Sequence, residues 1–347
     1  MRVGIVGATG YVGMELVRIL SVHPGFYLTQ LVSRSHAGQR ISDIYPNFSR
    51  VVDLELQTLD IDRLAADCDL VITALPHGVS SEIVPQLLDR GLRVIDHSGD
   101  FRYRDAAVYE GAYKLKHPRP DLLSEAVYGL PELYRRDIAQ ARLVANPGCY
   151  PTCSLLALLP LLKNNLIRLD SVIIDAVSGV SGAGRKADTA YSFCETVEGF
   201  RVYGVVGHRH TSEIEQECGL LAGLGRPLAV TFTPHLAPMK RGMLATVYAD
   251  LLPGQDPARL QEVYQAAYAQ EWFVRLLSPG QLPDTRLVTG TNFADLSVHY
   301  DKHTGKVKVL CAIDNLGKGA AAQAVQAMNL MAGLPENEGL TAVGMAI

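Results

Sequence analysis

Val3-Gly4-Ile5-Val6-Gly7-Ala8-Thr9-Gly10-Tyr11-Val12-Gly13-Met14-Glu15-Leu16-Val17 decides the fold. Val3 to Val6 is a short apolar run of the kind buried in parallel sheets. Three glycines at intervals of three then turn the chain. Leu16, Val17, Ile19 and Leu20 give the next segment one apolar helical face, and His23-Pro24-Gly25 closes it. In a strand–turn–helix, Gly7 permits the tight turn, Gly10 lets backbone approach a pyrophosphate, and Gly13 allows close helix–strand packing. Thr9, Tyr11 and Val12 belong to the same cofactor-facing turn. The pattern predicts a dinucleotide site.

The end of the second strand selects the dinucleotide. An NAD site commonly presents Asp or Glu about 20 residues past the glycines. Here the strand from Leu28 ends Ser33-Arg34-Ser35. A guanidinium flanked by hydroxyls suits a 2′-phosphate, so NADP is expected. Further strands are predicted at 70–75, 93–96 and 143–145, with a helix at 81–90 between two of them. This alternation reads as an α/β, doubly wound parallel sheet. The stretch 101–134, rich in Tyr, Pro and Arg, reads as irregular.

Past residue 148 the texture changes. A helix from Pro151 to Leu162 is apolar on nearly every side and therefore buried. Longer strands follow at 171–177, 228–234, 242–250, 292–300 and 306–314, with a hairpin loop at 301–305. These predict a second, α+β domain: a mixed, largely antiparallel sheet covered on one face by helices such as 257–270. The expected division is 1–148 for the nucleotide domain, 149–314 for the second domain (which the resemblance given below makes catalytic and oligomerising), and an Ala-rich C-terminal helix within 315–347 returning to the first.

Asn146-Pro147-Gly148-Cys149-Tyr150-Pro151-Thr152 carries the chemistry. The thiol follows a strand end and a Pro-Gly turn and opens the buried helix. Unpaired N–H groups there favour the thiolate, the nucleophilic form. Cys68, Cys194, Cys218 and Cys311 read instead as packing residues. The thiol needs an acid/base partner. His208-Arg209-His210 precedes Ser212-x-x-Glu215, a capping-box pattern, so both histidines are expected in a loop feeding a helix. His208 is preferred as acid/base and His210 as a substrate contact, over the reverse. The loop Ser178-Gly179-Val180-Ser181-Gly182-Ala183-Gly184 can turn backbone N–H groups toward an anion or the nicotinamide amide. Arg102 is a candidate phosphate clamp, and Asn146 joins it among the substrate residues. Hydride transfer needs no metal, and none is expected.

Composition bounds the partners. The chain has 347 residues, 48% hydrophobic and 20% charged, with net charge −4. Without a basic cluster, nucleic acid is not an expected partner. No apolar run approaches the roughly 18 residues of a membrane span. Met1 to Val6 reads as a strand rather than a leader, and six scattered cysteines suit a reducing compartment. A cytoplasmic protein is expected.

Taken together, the glycine turn, Asn146 to Thr152, Ser178 to Arg185, His208 to His210 and Asn315-Leu316-Gly317-Lys318-Gly319 resemble the N-acetyl-gamma-glutamyl-phosphate reductase family. The match runs in order over essentially the whole chain. The glycine turn is shared with aspartate-semialdehyde dehydrogenases. The resemblance implies a Rossmann-type domain plus a glyceraldehyde-3-phosphate dehydrogenase-like domain. It also implies NADPH as reductant, Cys149 as acyl acceptor and His208 as acid/base. Ser178 to Gly184 and Asn315 to Gly319 would line the nicotinamide end, with Ser178, Gly179, Gly182 and Asn315 as cofactor contacts. It implies a cytoplasmic homodimer or homotetramer acting on a small acyl phosphate in arginine biosynthesis. Aspartyl phosphate and carrier-bound aminoadipyl phosphate remain open as substrates at this stage. Cys153 departs from the family, which usually has Gly or Ala there.

Overall fold

The computed structural model describes residues 1–346. The chain forms two compact units. Met1–Pro147 and Ala320–Ala342 make the first; Gly148–Gly319, with residues 343–346, makes the second. The step thus falls one residue before the expected 148/149, and the return begins at Ala320 rather than 315. Asn315 explains the later return: its side chain bonds Gly242 N–H and the Ser181 hydroxyl, both in the second unit.

The first unit is built on seven strands: β1 (Arg2–Val6), β2 (Tyr27–Val32), β3 (Leu56–Gln57), β4 (Leu70–Thr73), β5 (Arg93–Asp96), β6 (Val127–Tyr128) and β7 (Leu143–Ala145). Their order is β3-β2-β1-β4-β5-β7-β6, and every pair is parallel. The order reverses between β1 and β4, where doubly wound sheets open a crevice at the strand carboxyl ends. Strands β4 and β7 are buried at every residue, which explains the apolar runs Leu70-Val71-Ile72 and Leu143-Val144-Ala145. The C-terminal helix Ala322–Ala332 packs on the helices Tyr11–Leu20 and Pro131–Gln140.

The stretch 101–134 is more ordered than its sequence suggested. It holds the helix Ala106–Tyr113, capped by the Asp105 carboxylate, then β6 and the start of Pro131–Gln140. Much of its core is aromatic. Tyr109 stacks on Tyr113 at 5.1 Å and meets His117 edge-on at 5.0 Å. Such rings leave no simple apolar period to read.

The second unit carries β8 (Ile173–Gly179), β9 (Arg201–Val202), β10 (Thr231–Ala237), β11 (Met243–Asp250), β12 (Val274–Leu276), β13 (Ala294–Asp301) and β14 (Lys306–Ile313). The order is β12-β13-β14-β11-β8-β10-β9. Pairs β8/β10 and β12/β13 are parallel and the other four antiparallel. Burial alternates along all of β11, so one sheet face is covered and the other open.

The helix Cys149–Lys163 is buried from Tyr150 through Leu162. Pro160 lacks an N–H, which orphans the Leu156 carbonyl one turn back. The Tyr268 hydroxyl donates to that carbonyl, and Tyr264 donates to Ala157 O at 2.5 Å. Both tyrosines come from the helix Leu260–Tyr268. Of the cysteines read as packing residues, Cys68, Cys218 and Cys311 are buried, but Cys194 is exposed. It lies on the single turn Phe193–Thr196, whose residues are all outside the core. Cys153 is fully buried, and its thiol donates to Cys311 O at 3.1 Å.

Candidate active site

In the first unit the glycine turn is tied to the end of β2: Gly7 N–H and Ala8 N–H both donate to Val32 O, at 2.9 and 3.0 Å. Gly7 has φ +94°, and a Cβ there would lie 2.4 Å from Ala74 O. A Cβ on Gly13 would lie 2.2 Å from Gly7 O. The fold itself therefore requires both. Gly10 differs, because a Cβ there would meet only Gly7 O at 3.5 Å, an ordinary contact. Its missing side chain instead leaves the N-terminus of Tyr11–Leu20 open, with no side-chain cap and no acidic residue in the first turn. That is a fitting cradle for a diphosphate.

Around the cradle, Thr9 Oγ1 pairs with Ser33 Oγ at 2.9 Å, and Tyr45 donates to Thr9 O at 2.7 Å. Ser33 is buried, while Arg34 and Ser35 are exposed at the end of β2. Tyr11 and Val12 open the helix. These residues fit NADP: an uncapped helix end for the diphosphate and an exposed guanidinium beside it for a 2′-phosphate.

Arg102 and Asn146 also belong to the first unit, at the carboxyl ends of β5 and β7. Arg102 is buried, with Nε donating to Asn146 O at 2.7 Å and Nη2 to His97 O at 2.8 Å. Sequence reading put Arg102 at a phosphate; in the structure those two donors hold backbone.

In the second unit, Cys149 is the first residue of its helix and Gly148 is the cap residue, without a side-chain cap. Cys149 is partly exposed. Two other segments close on this turn. Gly319 packs so closely that a Cβ there would lie 2.8 Å from Cys149 Cβ. A Cβ on Gly148 would lie 2.6 Å from His210 Nε2. Gly148 N–H donates to the buried Glu213 carboxylate at 2.8 Å. His210 and Glu213, three residues apart on the helix Arg209–Leu221, thus share the face that meets Gly148.

His208 caps that helix, its Nδ1 accepting from His210 N–H at 3.1 Å. The helix therefore starts before the expected capping box at Ser212, because the imidazole supplies the cap. With Nδ1 accepting, the neutral ring carries its proton on Nε2. The ring sits edge-on to Tyr150, Tyr203 and Phe232 at 5.7, 5.4 and 5.5 Å, and 5.0 Å from the His210 ring. Burial, and secondarily Arg209, pushes His208 down to about 4, so it is neutral at pH 7. Burial likewise pushes the Tyr203 phenol up to about 12. Tyr203 donates to Tyr150 Oη at 3.1 Å, and Tyr150 donates to His235 O at 3.0 Å.

The loop Ser178–Gly184 is knitted to Asn315. Asn315 Nδ2 donates to Ser181 Oγ at 2.9 Å, and its Oδ1 accepts from Gly242 N–H at 2.9 Å. A Cβ on Gly179 would lie 2.9 Å from the Lys240 carbonyl, and one on Gly182 3.0 Å from Ser178 Oγ. Glu213 and Tyr203 had no assigned role from sequence, while Gly319 ends the stretch 315–319 that the resemblance sets at the nicotinamide end. Glu213 could have been found from its i+3 relation to His210; Tyr203 carries no local signal.

The family described as semialdehyde dehydrogenase, NAD binding domain, matches residues 2–141, and the semialdehyde dehydrogenase dimerisation domain matches 149–315. An N-acetyl-gamma-glutamyl-phosphate reductase from Acetivibrio thermocellus is 55% identical over 342 residues, covering 99% of this chain and 98% of that protein. This chain belongs to the N-acetyl-gamma-glutamyl-phosphate reductase family. Family members of the same name from Desulforudis audaxviator and Desulforamulus reducens are 51% and 50% identical, each covering 99% of both chains. The reductase fold is shared with aspartate semialdehyde dehydrogenase II of Vibrio cholerae, with a TM-score of 0.72 at 19% identity over 96% of this chain and 98% of that one. It is also shared with the Candida albicans enzyme solved with NADP, with a TM-score of 0.68 at 16% identity over 95% and 99% of the two chains. The expected α/β nucleotide domain followed by an α+β domain is the fold observed. No helix among the described residues is long and apolar enough to cross a membrane.

Proposed function

We propose that this chain reduces N-acetyl-gamma-glutamyl phosphate to N-acetylglutamate 5-semialdehyde with NADPH, through an acyl group carried on Cys149. The observation that carries the reading is the partly exposed thiol at an uncapped helix start, backed by Gly319, His210 and Glu213. The Cys149 thiolate attacks the γ-carbonyl, and the C–O bond to phosphate breaks. N–H groups of the first helical turn stabilise the oxyanion. NADPH, when bound, supplies the hydride that reduces the thioester carbon. His208 Nε2–H shares its proton with the resulting thiohemiacetal oxygen and recovers it as the C–S bond breaks, which returns the thiolate and releases the aldehyde. Asn146 and His210 hold the substrate, Arg102 fixes the Asn146 and His97 carbonyls through Nε and Nη2, and Ser178, Gly179, Gly182 and Asn315 border the nicotinamide end. The protein works as a homodimer or homotetramer in the cytoplasm.

The close packing of the His210 ring on Gly148 favours a second reading, in which His210 is the acid and His208 fixes it by capping the helix. His208→Asn, which keeps a capping acceptor, separates the two: a hundredfold loss of turnover supports His208, and near-normal turnover supports His210. The activity itself is tested by phosphate-dependent NADP reduction with N-acetylglutamate semialdehyde beside aspartate semialdehyde. Turnover of the second alone rejects the substrate.

A further inference from the structure

Two buried polar atoms at the carboxyl ends of β5 and β7 have no partner among the described residues: His97 Nε2 and Asn146 Oδ1. Asn146 is completely buried. Its amide orientation is set by the Ala320 carbonyl at 3.2 Å, which requires Nδ2 on that side. Asn146 Nδ2 also lies 3.3 Å from His97 Nδ1. A donor there makes Nδ1 the acceptor and leaves the imidazole proton on Nε2. The backbone around the pair is fixed. His97 N–H donates to Thr73 O at 2.9 Å, Asn146 N–H donates to Asp96 O at 2.8 Å, and Arg102 clamps both carbonyls. The pair therefore presents one unspent N–H donor and one unspent carbonyl acceptor on immobile backbone. Leaving either unmade is unfavourable by about 1–3 kcal/mol.

A phosphate or carboxylate would satisfy the donor and repel the acceptor. A group with a carbonyl and an N–H on separate atoms satisfies both. We propose that His97 and Asn146 form a receptor for an amide, His97 Nε2–H donating to its carbonyl and Asn146 Oδ1 accepting from its nitrogen. The inference rests on the functional reading above, which supplies two amides: the acetylated amine of the substrate and the carboxamide of the nicotinamide. Burial, then Arg102, holds His97 down at about 3, so the ring keeps a single N–H across the working pH range.

His97→Leu removes the donor at similar volume, and His97→Gln retains one. Four quantities are read for each: kcat/KM for N-acetylglutamate semialdehyde, kcat/KM for 5-oxopentanoate (which lacks the amide), and the dissociation constants of NADPH and N-acetylglutamate. A roughly tenfold loss confined to the two acetylated ligands, partly restored by Gln, assigns the receptor to the substrate. A tenfold weakening of NADPH, with both aldehydes affected alike, assigns it to the carboxamide. Unchanged values throughout, or equal losses in Leu and Gln for all four, overturn the proposal. Failure of the functional reading shows separately, as no turnover by the unaltered protein, while the two dissociation constants still decide the amide site.

Discussion

Gly148→Ala tests how closely the histidine helix is fitted to the thiol turn. Gly148 has φ −66° and ψ 152°, which alanine adopts freely, so the backbone gives no reason for glycine. The reason is the neighbour. The added methyl would stand 2.6 Å from His210 Nε2 and 2.9 Å from both adjoining ring carbons. Ordinary contact is about 3.5–4.0 Å, so the ring must retreat by about 1 Å. It has little room, being buried and 5.0 Å, centroid to centroid, from His208. Overpacking of this kind is unfavourable by about 1–3 kcal/mol, while replacing glycine returns about 0.4–1 kcal/mol through the unfolded chain. The net loss is then about 0–2.5 kcal/mol, or roughly 0–10 °C in melting temperature at about 2–4 °C per kcal/mol. Activity is the sharper readout, since displacing an active-site group by about 1 Å can be worth a hundredfold. Turnover of N-acetylglutamate semialdehyde should fall about 10–100-fold, and alkylation of Cys149 by iodoacetamide should change rate, while NADPH affinity stays within about twofold. Turnover and alkylation equal to the parent protein would refute the fitted turn.

Cys149→Ser should lose at least about a thousandfold in turnover while still binding NADPH; retained turnover excludes the covalent route. Arg34→Asp should weaken NADPH far more than NADH in fluorescence titration, and equal effects on the two would remove Arg34 from the 2′-phosphate. Acid sensitivity follows from His208 and His97, held at about 4 and about 3, below their ordinary value of 6.5. The unfolded chain binds protons that these rings refuse, so their contribution to stability is lost as pH falls from about 6.5 toward 4, and for His97 toward 3. The drop in urea midpoint over that range should be smaller in His97→Leu than in the parent; identical slopes would contradict the low value for His97.

The local grammar of the chain determined a good deal by itself. Three glycines after an apolar run specify strand, turn and helix, because the backbone at Gly7 and the packing at Gly13 each tolerate no side chain. Pro-Gly-Cys ahead of a largely apolar segment specifies a thiol at the start of a buried helix. The strand β7 and the Val94-Ile95 centre of β5 were legible because buried parallel strand carries no polar interruption. Tertiary structure alone decided the rest. The two-residue strands β3, β6 and β9 are held by neighbours rather than by their own pattern. Glu213 reaches Gly148 across 65 residues of sequence, and Gly319 reaches Cys149 across 170. Contacts of that kind depend on where helices dock, and docking is set by the summed shape of many side chains. Local periodicity reports which face is apolar, not which residue will stand opposite.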